Sequence, residues 1–475
     1  EDSLKTDAFN FGCLFEKYLI TRDETVLIQL RNLMKRGAPD YEALVLDYTS
    51  AGRFEEALAV AELAIAQPVG EQTLLHYYKS WCLIRLGKTA EAQIAIATAE
   101  KEPADYCFPN ALEAIEALQC VVDFAGKAPK ALYYLGNLWY DKRRYPTAIA
   151  AWERSSREDE TFPTVWRNLS LAYFNKMNRP DEAVALLEKA FRLDHTDARV
   201  LMELDQLYKR LNRPHIERLC FLEQHIDIVM TRDDLYLEYV TLLNQTGQYR
   251  EAIRRIDQRK FHPWEGGEGK VPAQYQLARL ELAKELINRK KYDDALALID
   301  ECYIYPTHLG EGKLPGAQEN DFNYYKAYIL QQQGRPEEAH SLFVKACSGN
   351  SQPAAAMYYN DQKPDKIFYQ GLAYRKLGEE EKARSRFNQL ITYGEEHLFD
   401  QFKMDYFAVS LPDLLIWEDD MDKKNRIHCN YLMALGHLGL GNRTKAEQFF
   451  DIAASMDNNH QGVQIHRKLM NTILS

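Results

Sequence analysis

The chain has 475 residues, 46% of them hydrophobic, and a formal net charge of -11 at pH 7. The negative charge argues against nucleic acid as a partner, because nucleic-acid binding depends on basic surface. The sequence lacks a run of about 18 apolar residues, the length that a membrane span requires, so it predicts a soluble protein with no membrane partner.

The eight cysteines form no Cys-x-x-Cys pair, and most of them lie within apolar helical patterns. This distribution favours reduced core thiols over a disulfide framework or a zinc site. We therefore expect no metal, no cofactor and a cytoplasmic location. Export is left open, because residue 1 is Glu and not an initiating Met.

A small alanine marks the start of the second helix in each of a series of predicted helical hairpins. It lets the two helices approach closely. In six hairpins a glycine precedes the alanine by five residues, at the turn, where glycine most easily adopts a left-handed backbone. These pairs are Gly52/Ala57, Gly87/Ala92, Gly247/Ala252, Gly334/Ala339, Gly378/Ala383 and Gly441/Ala446, and three further alanines without the glycine are Ala148, Ala183 and Ala295.

Aromatic residues around these alanines have the spacing of a known repeat. Leu135-Gly136, Trp139, Ala148 and Trp152 stand where a tetratricopeptide repeat places its Leu-Gly, first-helix aromatic, small residue and second-helix aromatic. The chain resembles tetratricopeptide proteins over roughly residues 40 to 460. The resemblance implies an all-α superhelix, or solenoid, of about ten hairpins, which grows by addition and needs no second core.

The distances between successive alanines vary along the chain. The 56 residues from Ala92 to Ala148 leave room for an extra helix near 110–124, and the 69 residues from Ala183 to Ala252 leave room for a degenerate repeat with its turn at Asn212-Arg213-Pro214. From Ala252 onward the spacing is 43 residues or more. We predict a helical cap at 1–40, an N-terminal array at 41–260 and a C-terminal array at 261–475.

Four long insertions account for the wider spacing in the C-terminal array. Each lies between the second helix of one hairpin and the first helix of the next, so all four emerge on one edge of the stack, which we call the insertion edge. Loops on one edge of a repeat array commonly bind ligands. The insertions are 261–274, 305–321, 349–365 and 394–425.

The first two insertions share the sequence Gly-Glu-Gly-Lys, ending at Lys270 and at Lys313. A phosphate loop is rejected, because Val271 and Leu314 replace the required Ser or Thr and helices flank both turns. Paired catalytic carboxylates, bracing of neighbouring repeats and docking of a partner stay open. The candidate binding residues are His262, Trp264, Glu265, Glu268, Lys270, Glu311, Lys313, Glu319 and Asp321.

The last insertion differs from the others. Apolar residues at helical spacing between Leu398 and Val409 predict an added helix that covers the last repeats. The acidic run 418–422 is interpreted as a solvated face, because consecutive acids lack the geometry of a calcium loop. No catalytic signature is present in usable form, so the enzyme question stays open and the balance is against an enzyme.

Several longer motifs support a narrower resemblance. They resemble the C-terminal half of large bacterial proteins of unassigned function, in which a galactose-mutarotase-like β-sandwich precedes the tetratricopeptide region. The resemblance implies an association with carbohydrate metabolism and an intramolecular partner for the insertion edge. This sequence has no succession of alternating short strands, so sugar chemistry of that domain is not assigned to it. The motifs are 133–137, 262–270, 309–314 and 405–415.

Two functions follow as hypotheses. The first is a scaffold that binds a protein domain or peptide, including a covalently attached β-sandwich, through its concave groove and its insertion edge. The alternative is the helical half of a bacterial carbohydrate-active protein, whose loops contribute to a glycan-binding or glycosidase-like site. The sequence leaves open whether the concave surface is accessible or filled.

Overall fold

The computed structural model describes residues 2–34, 37–67, 70–356, 361–401 and 416–470. All regular secondary structure in these ranges is helical, with 26 α-helices, one short 3-10 helix and no β-strand. The predicted all-α fold class is therefore confirmed. The helix predicted between Leu398 and Val409 and the motif 405–415 fall largely on residues outside the described ranges.

The chain divides into two compact units, Glu1–Asp194 and His195–Ser475. The predicted boundary at residue 260 concerns repeat length and stays a prediction. The helices of the first unit are α1 (Asp2–Thr6), α2 (Phe11–Thr21), α3 (Glu24–Leu33), α4 (Ala38–Ser50), α5 (Phe54–Ile65), α6 (Thr73–Arg85), α7 (Thr89–Ala99), α8 (Glu113–Ala125), α9 (Pro129–Asp141), α10 (Tyr145–Glu158), α11 (Pro163–Met177) and α12 (Pro180–Leu193).

The second unit contains fourteen of the α-helices and the 3-10 helix Thr307–Leu309. The α-helices are α13 (Ala198–Arg210), α14 (His215–Gln224), α15 (Ile226–Val229), α16 (Asp233–Gln245), α17 (Tyr249–Asp257), α18 (Lys270–Asn288), α19 (Tyr292–Cys302), α20 (Asn320–Gln332), α21 (Pro336–Ala346), α22 (Pro364–Lys376), α23 (Glu380–His397), α24 (Met421–Gly439), α25 (Arg443–Met456) and α26 (Gln461–Leu469).

Most of these helices pair as hairpins, and within each unit neighbouring hairpins pack on one another. Ten pairs follow one another along the described chain, in agreement with the predicted number. The single helix α8 lies between the second and third pairs. The pairs are α4–α5, α6–α7, α9–α10, α11–α12, α13–α14, α16–α17, α18–α19, α20–α21, α22–α23 and α24–α25.

The nine marker alanines occupy one equivalent position. Each lies three residues after the first residue of the second helix in its hairpin, as Ala57 does after Phe54. All nine are at most 2% exposed. The six preceding turn glycines have positive φ, from 73° at Gly52 to 81° at Gly441. The φ values confirm the glycine turn, and the burial of the alanines agrees with close packing of the two helices.

The degenerate hairpin α13–α14 has Arg218 at the equivalent position, three residues after His215. Its side chain is 1% exposed and forms an ion pair of 2.7 Å with Asp205 on α13. A buried ion pair therefore joins these two helices where the other hairpins use close packing. This substitution explains why the alanine signature disappears between Ala183 and Ala252.

The last helix, α26, lies against helices from several hairpins of the second unit. Gln461 hydrogen-bonds to Gln274 on α18 at 2.8 Å, and Lys468 donates to the Tyr249 hydroxyl on α17 at 3.0 Å. His466 packs against the rings of Tyr369 and Tyr431. Within this unit, α26 therefore packs across α17, α18, α22 and α24, which belong to four successive or nearby hairpins.

The described end of the fourth insertion is anchored to α13. Trp417 is 1% exposed and donates its Nε1–H to the Glu203 carbonyl at 3.2 Å. Asp419 forms ion pairs with Arg210 at 2.7 Å and with Lys424 at 2.5 Å. The interpretation of the acidic run as a solvated face is therefore wrong for Asp419, which is largely buried in this ion-pair network.

Two features of the structure can be compared with the sequence predictions: the state of the cysteines and the apolar character of the helices. All eight cysteines are free thiols, and four of them are buried. Among the described helices, none combines the length and the apolar character that crossing a bilayer would need.

Candidate functional site

The duplicated loops of the first two insertions pack against each other. The Phe261 amide donates to the His308 carbonyl at 2.8 Å, and the Gly269 amide donates to the Glu311 carboxylate at 2.7 Å. Gly310 has a φ of +77°, and a Cβ atom there would lie 2.7 Å from the Phe261 carbonyl oxygen. A glycine is thus required where the two loops meet.

A cavity of about 650 Å³ opens between these loops and the helices α18, α20, α22 and α26, and we call it the loop cavity. Its charged lining contains six carboxylates and three lysines, so the lining is negative. Apolar residues form another part of the wall, including Leu277, Leu280, Leu314, Phe322 and Ile465. The charged residues are Glu268, Glu281, Lys284, Glu311, Glu319, Asp321, Lys363, Asp365 and Lys366.

Two ion pairs form the floor of the loop cavity. The Lys284 ammonium lies 2.6 Å from Glu281, and the Lys366 ammonium lies 2.5 Å from Asp321. Burial alone would lower the pKa of each lysine, but the adjacent carboxylate raises it above its usual range. Both lysines therefore stay protonated, with their charge neutralised by a partner.

His466 on α26 contributes a neutral acceptor to the wall. Its Nδ1 lies 2.8 Å from the Gly462 carbonyl, which can only accept, and 3.0 Å from the Tyr431 hydroxyl, which can accept as well as donate, so we assign the proton to Nδ1. Burial lowers the pKa of His466 to about 4, and the nearby Lys284 ammonium adds to this effect. The other ring nitrogen, Nε2, is buried and has no hydrogen-bond partner within the described part of the chain.

A smaller cavity of about 280 Å³ adjoins the first, and we call it the Trp264 cavity. Trp264 lies over Gly267, where a Cβ atom would come within 2.3 Å of the indole ring. The cavity is also lined by Glu265 and by Glu268 and Glu311, which line the loop cavity as well. These two carboxylates therefore stand between the two cavities.

The structure brings together seven of the nine candidate residues. The loop cavity contains Glu268, Glu311, Glu319 and Asp321, and the Trp264 cavity adds His262, Trp264 and Glu265. His262 also bonds to Asp233, with 3.1 Å between ring Nδ1 and the carboxylate.

The two duplicated lysines line neither cavity. Lys313 donates to the Tyr303 carbonyl at 3.1 Å and pairs with Glu319. Lys270 is exposed, and its charged neighbours include Lys209, Glu238 and Glu268. Equal positions in the repeated sequence therefore do not give these lysines equal surroundings.

The sequence analysis missed Glu281, Lys284, Lys366 and His466. Each lies within a helix, and none belongs to a recognisable catalytic motif. The available signal was a charged or imidazole side chain on a helix face that is otherwise apolar. Among the described residues, no group of three or more His, Cys, Asp or Glu side chains is arranged to hold a metal ion.

Comparison with protein families identifies the repeat type. Residues 108–163 and 367–393 each match a tetratricopeptide-repeat family model. These two segments lie in different units, and the first includes helices α8 and α9. Tetratricopeptide repeats are therefore present in both halves of the chain.

Solved structures of other proteins are similar at low sequence identity. MamA from Desulfovibrio magneticus RS-1 is 16% identical, with 41% of this chain and 95% of that chain covered and a TM-score of 0.25. The P58(IPK) TPR domain is 15% identical, with coverage of 79% and 99% and a TM-score of 0.24. A TPR protein of Thermus thermophilus is 17% identical, with coverage of 43% and 98% and a TM-score of 0.25.

Proposed function

We propose that this chain is a tetratricopeptide scaffold that binds a protein segment at the insertion edge of its second unit. The observation that supports the proposal most directly is the loop cavity, which two mutually bound loops enclose on the side of the repeat array. Its mixed lining of apolar and charged side chains suits a peptide segment better than a purely apolar ligand.

The contacts between the loops favour binding as well as bracing. Because Glu311 holds the Gly269 amide and His308 holds the Phe261 amide, the loops are ordered before a partner arrives. Preorganised loops lose less conformational entropy on binding, which improves affinity. Bracing of the repeats and recognition of a partner are thus compatible roles for the same hydrogen bonds.

The inner surface of the second unit is the other surface that the sequence favours. We take the side that α26 covers through Gln461 and Lys468 as this inner surface, and the loop cavity extends from the insertion edge to Ile465 and His466 of α26, so we place binding at the loop cavity. The partner is a separate protein or an attached domain. The β-sandwich that the resemblance to bacterial proteins implies is one candidate for the attached domain.

A cavity-filling substitution tests this proposal. Ala273 is exposed on α18 and lines the loop cavity, so Ala273→Trp places an indole in the cavity without entering the core. Ala297→Trp, at an exposed position of α19 outside the cavity, is the matched control. Peptides selected by phage display against the unaltered chain should bind the control and should lose at least tenfold in affinity for Ala273→Trp. Equal affinities would contradict the proposed site.

The sugar-site alternative stays a prediction from the resemblance alone. A thermal-shift panel of sugars tests it, because a ligand that binds only the folded state raises the melting temperature. An unchanged melting temperature across the panel at millimolar concentrations would count against a sugar site. If a sugar raises the melting temperature and Ala273→Trp abolishes this rise, the ligand of the cavity is a glycan and not a protein segment.

A further inference from the structure

We infer that the loop cavity and the Trp264 cavity together recognise a basic side chain, lysine or arginine, of the bound segment, with Glu268 and Glu311 as the recognising carboxylates. The inference rests on the proposed function and specifies the chemistry of the partner. It combines the placement of two carboxylates, one buried acceptor and an apolar wall.

Glu268 and Glu311 are the only charged residues that line both cavities within the described chain. Glu311 is held by the Gly269 amide, one residue after Glu268. Burial raises the pKa of Glu311, and the negative charge of Glu268 raises it further. Neither carboxylate has a described cation within ion-pair distance. A ligand cation between them would relieve their repulsion.

The second, independent observation is His466. Its side chain is 4% exposed, it lines the loop cavity, and its Nε2 is an acceptor without a partner in the described residues. A buried acceptor without a donor is destabilising, so the site gains if a ligand supplies an N–H group. Ammonium and guanidinium groups are donors only, whereas a carboxylate ligand has no donor to offer.

The lysines of the floor do not form an anion site. Lys284 is neutralised by Glu281, and Lys366 is neutralised by Asp321 and has Asp365 at 3.9 Å. Because carboxylates outnumber lysines in the lining, an acidic segment would meet net repulsion.

The apolar wall completes the match to a long basic side chain. Leu277, Leu280 and Ile465 line the same cavity as the carboxylates. Lysine and arginine have apolar stems that pack on such surfaces while the charged group reaches polar partners. Trp264 adds an aromatic ring next to Glu265 and Glu268, which suits a cation.

Four pentapeptides test the inference, each of the form acetyl-Ala-Leu-X-Leu-Ala-amide, where X is lysine, arginine, norleucine or glutamate. Binding to the full chain is measured by titration calorimetry. We expect the lysine and arginine peptides to bind about tenfold more tightly than the norleucine peptide, the effect of one charge-assisted hydrogen bond. Glu268→Gln and Glu311→Gln should remove most of this difference, and Glu337→Gln, exposed on α21, should preserve it.

The other outcomes separate the inference from the proposed function. If the norleucine peptide binds as tightly as the lysine peptide, the inference is wrong and protein binding stands. If the glutamate peptide binds most tightly, or no peptide binds, the inference is also wrong, and the Ala273→Trp experiment decides the proposed function. If free n-butylammonium binds as tightly as the lysine peptide, the cation is not recognised as part of a protein segment.

Discussion

The guanidinium of Arg218 donates two hydrogen bonds to the Asp205 carboxylate, from Nε at 3.0 Å and from Nη2 at 2.7 Å. The same group also reaches Glu238 and the side chain of Asn459, each at 2.7 Å. One buried side chain thus links the first hairpin of the second unit to the segment just before α26. The closure of this unit on itself depends on a charge network as well as on apolar packing.

Removal of Arg218 should destabilise the second unit strongly. In Arg218→Met the buried Asp205 carboxylate stays in place without its cation, whereas Glu238 keeps Lys209 at 2.9 Å, and we expect a loss of about 3–5 kcal/mol in the free energy of unfolding. Urea denaturation measures this loss. Arg254→Met, which breaks an exposed ion pair with Glu251, should leave the free energy of unfolding almost unchanged. Similar losses in the two variants would contradict the role of burial.

The glycine of the Leu-Gly pair in α9 should resist substitution. A Cβ atom at Gly136 would lie 2.2 Å from Nε1 of Trp152, so Gly136→Ala forces α10 away from α9. The expected loss is about 1–3 kcal/mol, as for other overpacked cores. Gly12→Ala on α2 is the control, since the nearest atom there is 3.7 Å from the added Cβ. A melting temperature of Gly136→Ala at or above the control would contradict the packing.

The contact between the duplicated loops should depend on Gly310. Gly310→Ala introduces a side chain at positive φ and against the Phe261 carbonyl, at a cost of about 1–3 kcal/mol for the strained backbone. We expect faster hydrogen exchange at the Phe261 and Gly269 amides, which the contact protects. Gly312→Ala has no atom within 4 Å of the added Cβ and should leave exchange unchanged. Equal exchange in both variants would mean that the loops are held by other contacts.

His466 should make the second unit sensitive to acid. Its pKa is lowered to about 4 in the folded chain, so between pH 6.5 and 4 only the unfolded chain binds the proton. The contribution of neutral His466 to the free energy of unfolding is therefore fully present above pH 6.5. It decreases as the pH falls, by up to about 3 kcal/mol at pH 4.

Melting temperatures between pH 7 and pH 4 measure this effect. His466→Gln should reduce the slope without removing it, because burial also lowers the pKa of His428 to about 4, and His340→Gln, exposed on α21, should leave the profile unchanged. If His466→Gln keeps the full slope, the proton is taken up elsewhere.

The sequence determined the hairpins because their signals are local. Close packing of two helices requires a small residue such as Ala57 or Ala446, and a tight turn favours a glycine such as Gly52. Both requirements repeat within one hairpin, so their spacing predicts the helix pairs. The degenerate hairpin was placed from its length and its turn, although Arg218 stands where an alanine was expected.

The candidate site was predicted only in part, because only part of its sequence signal is local. Duplication of Gly-Glu-Gly-Lys pointed to Glu268 and Glu311, which both line the two cavities. It pointed equally to Lys270 and Lys313, although these line neither cavity. A repeated tetrapeptide specifies similar turns, but the neighbours of each side chain come from helices that the tetrapeptide does not encode.

Only the tertiary structure decided which distant residues surround the loop cavity. Lys284 and Lys366 are neutralised there by Glu281 and Asp321, and His466 reaches the same cavity from the last helix. Helical periodicity relates residues three or four apart, whereas this convergence depends on how successive hairpins stack and on where α26 returns. The sequence thus determined the repeated unit, and the packing of many units determined the site.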